Sequence, residues 1–211
     1  MRTHQNNRRR FGVCAGLAAV GLAASSCGDV VRSSRSPVML VVNSLQAAQG
    51  NHVATMAGNL SSDVITNVTS PAPCAPASPC PTVFNDVGSV VLGVVMKDVT
   101  VTPTTNNQVT ITRYHVDYRR ADGLNTPGVY VPYGFDGAVT ITVAAGATGT
   151  AGFELVRIAA KEEAPLVQLK TSPNVVSTIA DVTFYGRDQV GNDVSATGSI
   201  LITFGNFGDT Q

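Results

Sequence analysis

From residue 38 onward, apolar and polar positions alternate in short runs separated by turn-forming residues. A period of two is that of β-strands, whose successive side chains point to opposite faces. "VMLVVNSL" (38–45) predicts a first strand, and "VATMAGNLSSDVIT" (53–66) a less regular second one. "SVVLGVVMKDV" (89–99) is apolar on both faces, the pattern of a central strand covered on both sides. In "VTITRYHVDYRR" (109–120), Tyr114, Val116 and Tyr118 share one face, while Arg113, His115, Asp117 and Arg119 share the other. "AVTITVA" (138–144) sets Val139, Ile141 and Val143 against Thr140 and Thr142, and "TAGFELVRIAA" (150–160) follows a small-residue turn. "DVTFYGRD" (181–188) and "ATGSILITF" (196–204) flank "QVGN", where Gly191-Asn192 suits the positive backbone angles of a tight hairpin. Long apolar stripes at the 3.6-residue helical spacing are absent from the sequence.

Seven to eight strands with regular turns, and no helix to cover them, predict an all-β fold: an antiparallel β-sandwich in a single domain over 37–208. Abundant Val and Thr agree with this, since branching at the β-carbon favours the extended backbone. The Tyr-x-Val-x-Tyr strand and the closing hairpin make residues 88–206 resemble an immunoglobulin or fibronectin type III-like sandwich. That resemblance implies a long insertion over 47–87 between the first and second strands, with a Pro/Cys-rich loop at about 67–83. The disulfide–Trp core of antibody domains is not carried over, because the chain has no Trp.

Ahead of the strands lies a different pattern. Arg2, Arg8, Arg9 and Arg10 precede an apolar stretch, Phe11 to Ala24, that is too short for a permanent membrane span. These are the zones of a secretory leader over 1–26, a helical signal segment removed on export. "LAASSCGD" (22–29) places small residues just before Cys27 and resembles the lipobox of bacterial lipoproteins. The resemblance implies a diacylglyceryl group on the Cys27 thiol, cleavage just before it and acylation of the new terminus. Such lipoboxes usually have Leu where this chain has Ala24, and ordinary cleavage near Ala23-Ala24-Ser25 is the alternative. "RRRFG" also resembles a twin-arginine export core. Residues 27–36 then read as lipidated cysteine and tether.

Removal of the leader changes the charge. Four of the 14 Lys+Arg lie before Cys27 and all 14 Asp+Glu lie after it, so the mature chain holds ten basic groups against 14 acidic ones, a net −4. Thin, mildly acidic charge excludes a nucleic-acid partner, which needs concentrated positive charge.

Candidate chemistry is sparse. Cys74 and Cys80 in "PAPCAPASPC" sit too far apart for a redox Cys-x-x-Cys and lack further zinc ligands nearby, so in an oxidising compartment they predict a disulfide. His115 and Asp117 resemble a base with its carboxylate, but no nucleophile accompanies them, and the plainer reading is a solvated outer face. Asp181, Asp188 and Asp193, with Asn192, are candidate calcium ligands at the last hairpin; turn aspartates more commonly bond their own backbone. Asn59 and Asn67 begin Asn-x-Ser/Thr triplets, which a bacterial host seldom uses. No catalytic elbow, zinc-protease motif or phosphate-binding loop occurs in the sequence, and no cofactor is expected. The expected function is therefore a non-enzymatic binding or structural module of the bacterial envelope, held to the membrane by lipid on Cys27, with an envelope protein or a glycan as partner. Carbohydrate recognition is the alternative, with Tyr130, Tyr133 and Phe135 in "GVYVPYGF" as its aromatic contacts. A hydrolase using Asp117, Asp122 or Asp136 is the remaining one.

Overall fold

The computed structural model describes residues 35–50 and 55–207; the leader, Cys27 and His52 lie outside the described residues. Ten strands follow in chain order: β1 (Val38–Ala48), β2 (Asn59–Asp63), β3 (Thr66–Val68), β4 (Cys80–Thr82), β5 (Asp86–Met96), β6 (Val109–Arg119), β7 (Phe135–Val143), β8 (Thr148–Val156), β9 (Val176–Asp188) and β10 (Asp193–Gly205). Sheet β1-β5-β8 faces sheet β2-β10-β9-β6-β7, and β3-β4 form a small separate tab. The fold is all-β and sandwich-like. The strands beyond the expected eight are β3 and β4, three residues each, too short for alternation to register. The expected insertion between the first two long strands is present and contains β2, β3 and β4.

Several expectations change. β2 pairs with β10 in parallel, from Asn59 opposite Leu201 to Asp63 opposite Gly205, so the sandwich is not wholly antiparallel. β8 stops at Val156; Arg157 turns the chain into a short helix, α1 (Ile158–Glu162), and a 3-10 turn follows over Leu166–Thr171. Ala159, Ala160 and Lys161 are good helix formers, and the strand face ends with them. In β5 only one face is fully covered: Val90, Leu92 and Val94 are buried, whereas Val87, Ser89 and Val91 are half-buried and Val95 is exposed. Valine there meets the strand's conformational preference without needing burial.

Between the sheets lies an aromatic cluster. Tyr114 stands edge-on to Phe153 at 5.1 Å, and Phe153 edge-on to Phe184 at 5.4 Å, both favourable arrangements for ring quadrupoles. Gly88 makes room for it, since a β-carbon there would fall 2.4 Å from the Phe153 ring.

The strand directions define two poles. Val38 opposes Met96, and Val109 opposes both Val143 and Asp188, so the start of β1 shares a pole with residues 97–108, 144–147 and 189–192. The distal pole gathers the β3-β4 tab and residues 120–134 and 157–175. Ser36, assigned above to the tether, is buried and belongs to the domain. Its hydroxyl accepts from the Val38 N–H at 3.3 Å and also bonds the Asp188 carboxyl.

Candidate functional site

Two features of the distal pole carry chemistry, and one of them was expected. Cys74 and Cys80 are joined in a disulfide beside the β3-β4 tab. The tab is tied to the sandwich through Asp63, whose carboxylate accepts from Thr66 Oγ1 and from the Phe207 N–H, each at 3.3 Å.

On the same pole, Pro132, Tyr133, Phe135, Arg157, Ala160 and Glu163 line an open cleft of 190 Å³. Of the three aromatic contacts expected here, Tyr130 and Tyr133 are exposed, Tyr133 at 57 %, but Phe135 is only 8 % exposed. Strand β7 begins at Phe135, so Phe135, Val139 and Val143 share its inward face. The Arg157 guanidinium lies 3.8 Å above the Phe135 ring and donates to the Asp136 carbonyl, sealing the aromatic from water. Phe135 is thus the floor of the cleft and no platform. Tyr133 is held by the loop backbone: Gly128 has φ +73°, and a β-carbon there would fall 2.3 Å from the Tyr133 hydroxyl. Any other residue at 128 is strained and displaces the tyrosine. An aromatic wall with a cation and a carboxylate at its rim can hold a small polar ligand.

The outer face of β6 is a polar ladder, as the alternation implied. His115 Nδ1 lies 3.2 Å from Asp136 and Nε2 lies 3.5 Å from Asp117, and Arg113 reaches Asp136 at 3.4 Å while stacking on Tyr185. The histidine is surrounded by carboxylates and a cation on an open sheet surface. Asp122, in the turn after that strand, is paired with Arg120 through bonds that hold its carboxyl below the usual carboxylate range.

The candidate calcium ligands are not brought together. Asp181 binds Arg119 and Ser199, and Asp193 pairs with Arg187 at 2.7 Å. Asp188 accepts from the Val190 and Asn192 N–H groups at 3.1 and 2.8 Å and from the Asn192 side chain. Partial burial alone would raise its carboxyl; the bonds from Asn192, Ser36 and Val190 outweigh that and hold it below the usual range. Asp181 ties β9 to its neighbours β6 and β10, while Asp188 and Asp193 bond within their hairpin. Among the described residues no group of three or more His, Cys, Asp or Glu is arranged to hold a metal.

The most unusual chemistry was not legible in the sequence. Lys161 on α1 is fully buried, with Nζ 2.9 Å from Asp86 and donating to the Asp63 carbonyl at 2.8 Å. Asp86 also accepts from Ser62 Oγ and from the Gly50 N–H. Burial pushes the Asp86 carboxyl up and the Lys161 ammonium down, and their mutual attraction opposes both shifts. The cluster joins β2, β5 and α1, the helix whose Ala160 lines the cleft, and the Lys161 and Asp86 side chains are 1 % and 0 % exposed. It positions α1, and with it Ala160 and Glu163 at the cleft. A single Lys in "AAKEEA" reads as a solvated charge, and nothing local marks its partner.

The chain matches no protein-family model and no curated protein.

Proposed function

We propose that the chain is a lipid-anchored lipoprotein of the bacterial envelope, whose immunoglobulin or fibronectin type III-like sandwich acts as a non-enzymatic binding or structural module. The leader and Cys27 motif support the anchor. The strand order supports the domain type: counting the seven long strands, the first, second and fifth form one sheet, and the seventh, sixth, third and fourth form the other. The observation that carries the reading is the separation of the poles. The chain joins the domain at Ser36 on one pole, while the disulfide-closed loop and the Tyr133 cleft lie on the other. Loops raised on a rigid sandwich are the usual place for recognition.

The test is the intact mass of the detergent-extracted protein from a lipoprotein-processing bacterium. A chain beginning at Cys27 and carrying diacylglyceryl and acyl groups is expected. A lipid-free chain beginning elsewhere overturns the anchor.

The cleft favours one second reading, a carbohydrate-binding module on the envelope. Tyr133 offers the stacking surface, and Arg157 and Glu163 the polar contacts. Retardation by soluble glycans in a native gel, lost in Tyr133→Ala, is the result this reading expects.

A further inference from the structure

Among the described residues both poles expose large apolar side chains, Val129, Tyr133 and Val175 among them at the distal one. Val99 is 91 % exposed, Val190 66 % and Val101 48 %, and all three sit on loop tips at the anchor-side pole. The remaining turn of that pole, 144–147, is Ala-Ala-Gly-Ala. Valine favours strands and is disfavoured in tight turns, so conformation does not call for it there.

Several charged groups at this pole are bonded within it. Asp98 accepts from the Thr100 N–H and hydroxyl at 2.9 and 2.7 Å, Arg187 pairs with Asp193, and Asp188 is capped within its own hairpin. The chain enters the domain between the two apolar tips. Lys97 N–H donates to the Pro37 carbonyl, two residues from Val99, and Ser36 bonds Asp188, two residues from Val190. Ser36 lies nine positions after Cys27, a reach of about 30 Å at full extension.

We propose that this pole is a membrane-contacting surface, on which Val99, Val101 and Val190 insert into the lipid bilayer beside the anchor. The proposal rests on the lipid-anchor reading above for its orientation. Apolar tips with balanced charge enter the boundary between headgroups and acyl chains, and lipid on Cys27 keeps them at high local concentration beside it. Contact of this kind fixes the long axis of the sandwich upright and holds the disulfide loop and the Tyr133 cleft away from the membrane.

The chain has no Trp, so a single introduced one is an unambiguous reporter. The full-length protein, carrying Val99→Trp, Val190→Trp or Tyr133→Trp, is reconstituted in phosphatidylethanolamine–phosphatidylglycerol vesicles with brominated acyl chains, and its mass is checked for lipid. Quenching and a blue-shifted emission are expected for the Val99 and Val190 reporters and not for the Tyr133 reporter. A lipidated protein in which no tip reporter is quenched overturns the membrane surface and leaves the anchor standing. A protein without lipid overturns the anchor. The same vesicles are then added to the soluble reporter proteins, where quenching of the tips upholds the surface and its absence overturns it. A dimer in lipid-free buffer that Val99→Asp dissociates, with no quenching by lipid, also overturns the proposal and makes the pole a self-association face.

Discussion

Replacing Lys161 with methionine keeps most of the side-chain stem and removes the charge. The Asp86 carboxylate would then retain Ser62 and the Gly50 N–H as donors, with its side chain fully buried. Breaking a buried pair from one side costs about 3–5 kcal/mol, because the remaining charge is left uncompensated. With a urea m-value of about 2 kcal/mol/M, Lys161→Met should lower the denaturation midpoint by roughly 2 M. The pH dependence identifies the cause. Without the lysine, the folded-state pKa of Asp86 rises further above its unfolded value. A group shifted that way contributes stability at low pH that is lost as pH rises from the unfolded value through the folded one. The deficit of the variant should therefore be largest near neutral pH and shrink toward about pH 4. The double variant Lys161→Met/Asp86→Asn should lose less than the two single losses added, with a coupling of about 2 kcal/mol or more. A single-variant cost below about 1 kcal/mol, or an additive cycle, refutes the assignment of this pair as the pin of α1.

Asp188 gives the opposite pH sign. Its carboxyl is held below the usual range in the folded state, so its contribution is present above the unfolded pKa near 3.8 and is lost as pH falls through the folded value. Thermal melts from about pH 5 to about pH 2.5 should fall less steeply for Asp188→Asn than for the wild type; parallel slopes contradict the argument. Gly88→Ala drives a methyl into the Phe153 ring and should cost about 1–3 kcal/mol by overpacking, read as a shift in denaturation midpoint. Reducing the Cys74–Cys80 bridge releases a short loop, worth about 2 kcal/mol in chain entropy before the prolines' own restriction is counted. The melting temperature should drop by less than about 8 °C, at roughly 2–4 °C per kcal/mol for a domain of this size.

The long strands were readable because one face of each is buried and the other wet, as in β6 and β7, where the pattern of two is imposed by the core. What escaped was set by contacts distant in sequence. The parallel pairing of β2 with β10 leaves no local trace, and five residues are too few to alternate clearly. Arg157 to Ala160 looked like continued strand because Ile158, Ala159 and Ala160 are apolar, yet a helix forms there, where Lys161 finds Asp86 and, 98 residues away, the Asp63 carbonyl. Tyr133 at the cleft, and Tyr130 in the loop before it, were identifiable as surface aromatics in a turn-rich segment. Phe135 was misjudged for want of carrying the face of Val139 and Val143 back by one more period. The disulfide needed only proximity in sequence and the compartment implied by the leader.

The β1-β5 ladder has a mechanical consequence. The chain enters at Ser36 and β1 runs toward the distal pole, pairing with β5 from Val38 opposite Met96 to Ala48 opposite Val87, with one register shift between Val42 and Ser44. A pull applied between the amino-terminal end of β1 and a partner gripping the distal loops acts along the strands. The hydrogen bonds of that ladder are then sheared together and do not open one after another from an end. Resistance to such a load is governed by the unfolding rate and not by equilibrium stability.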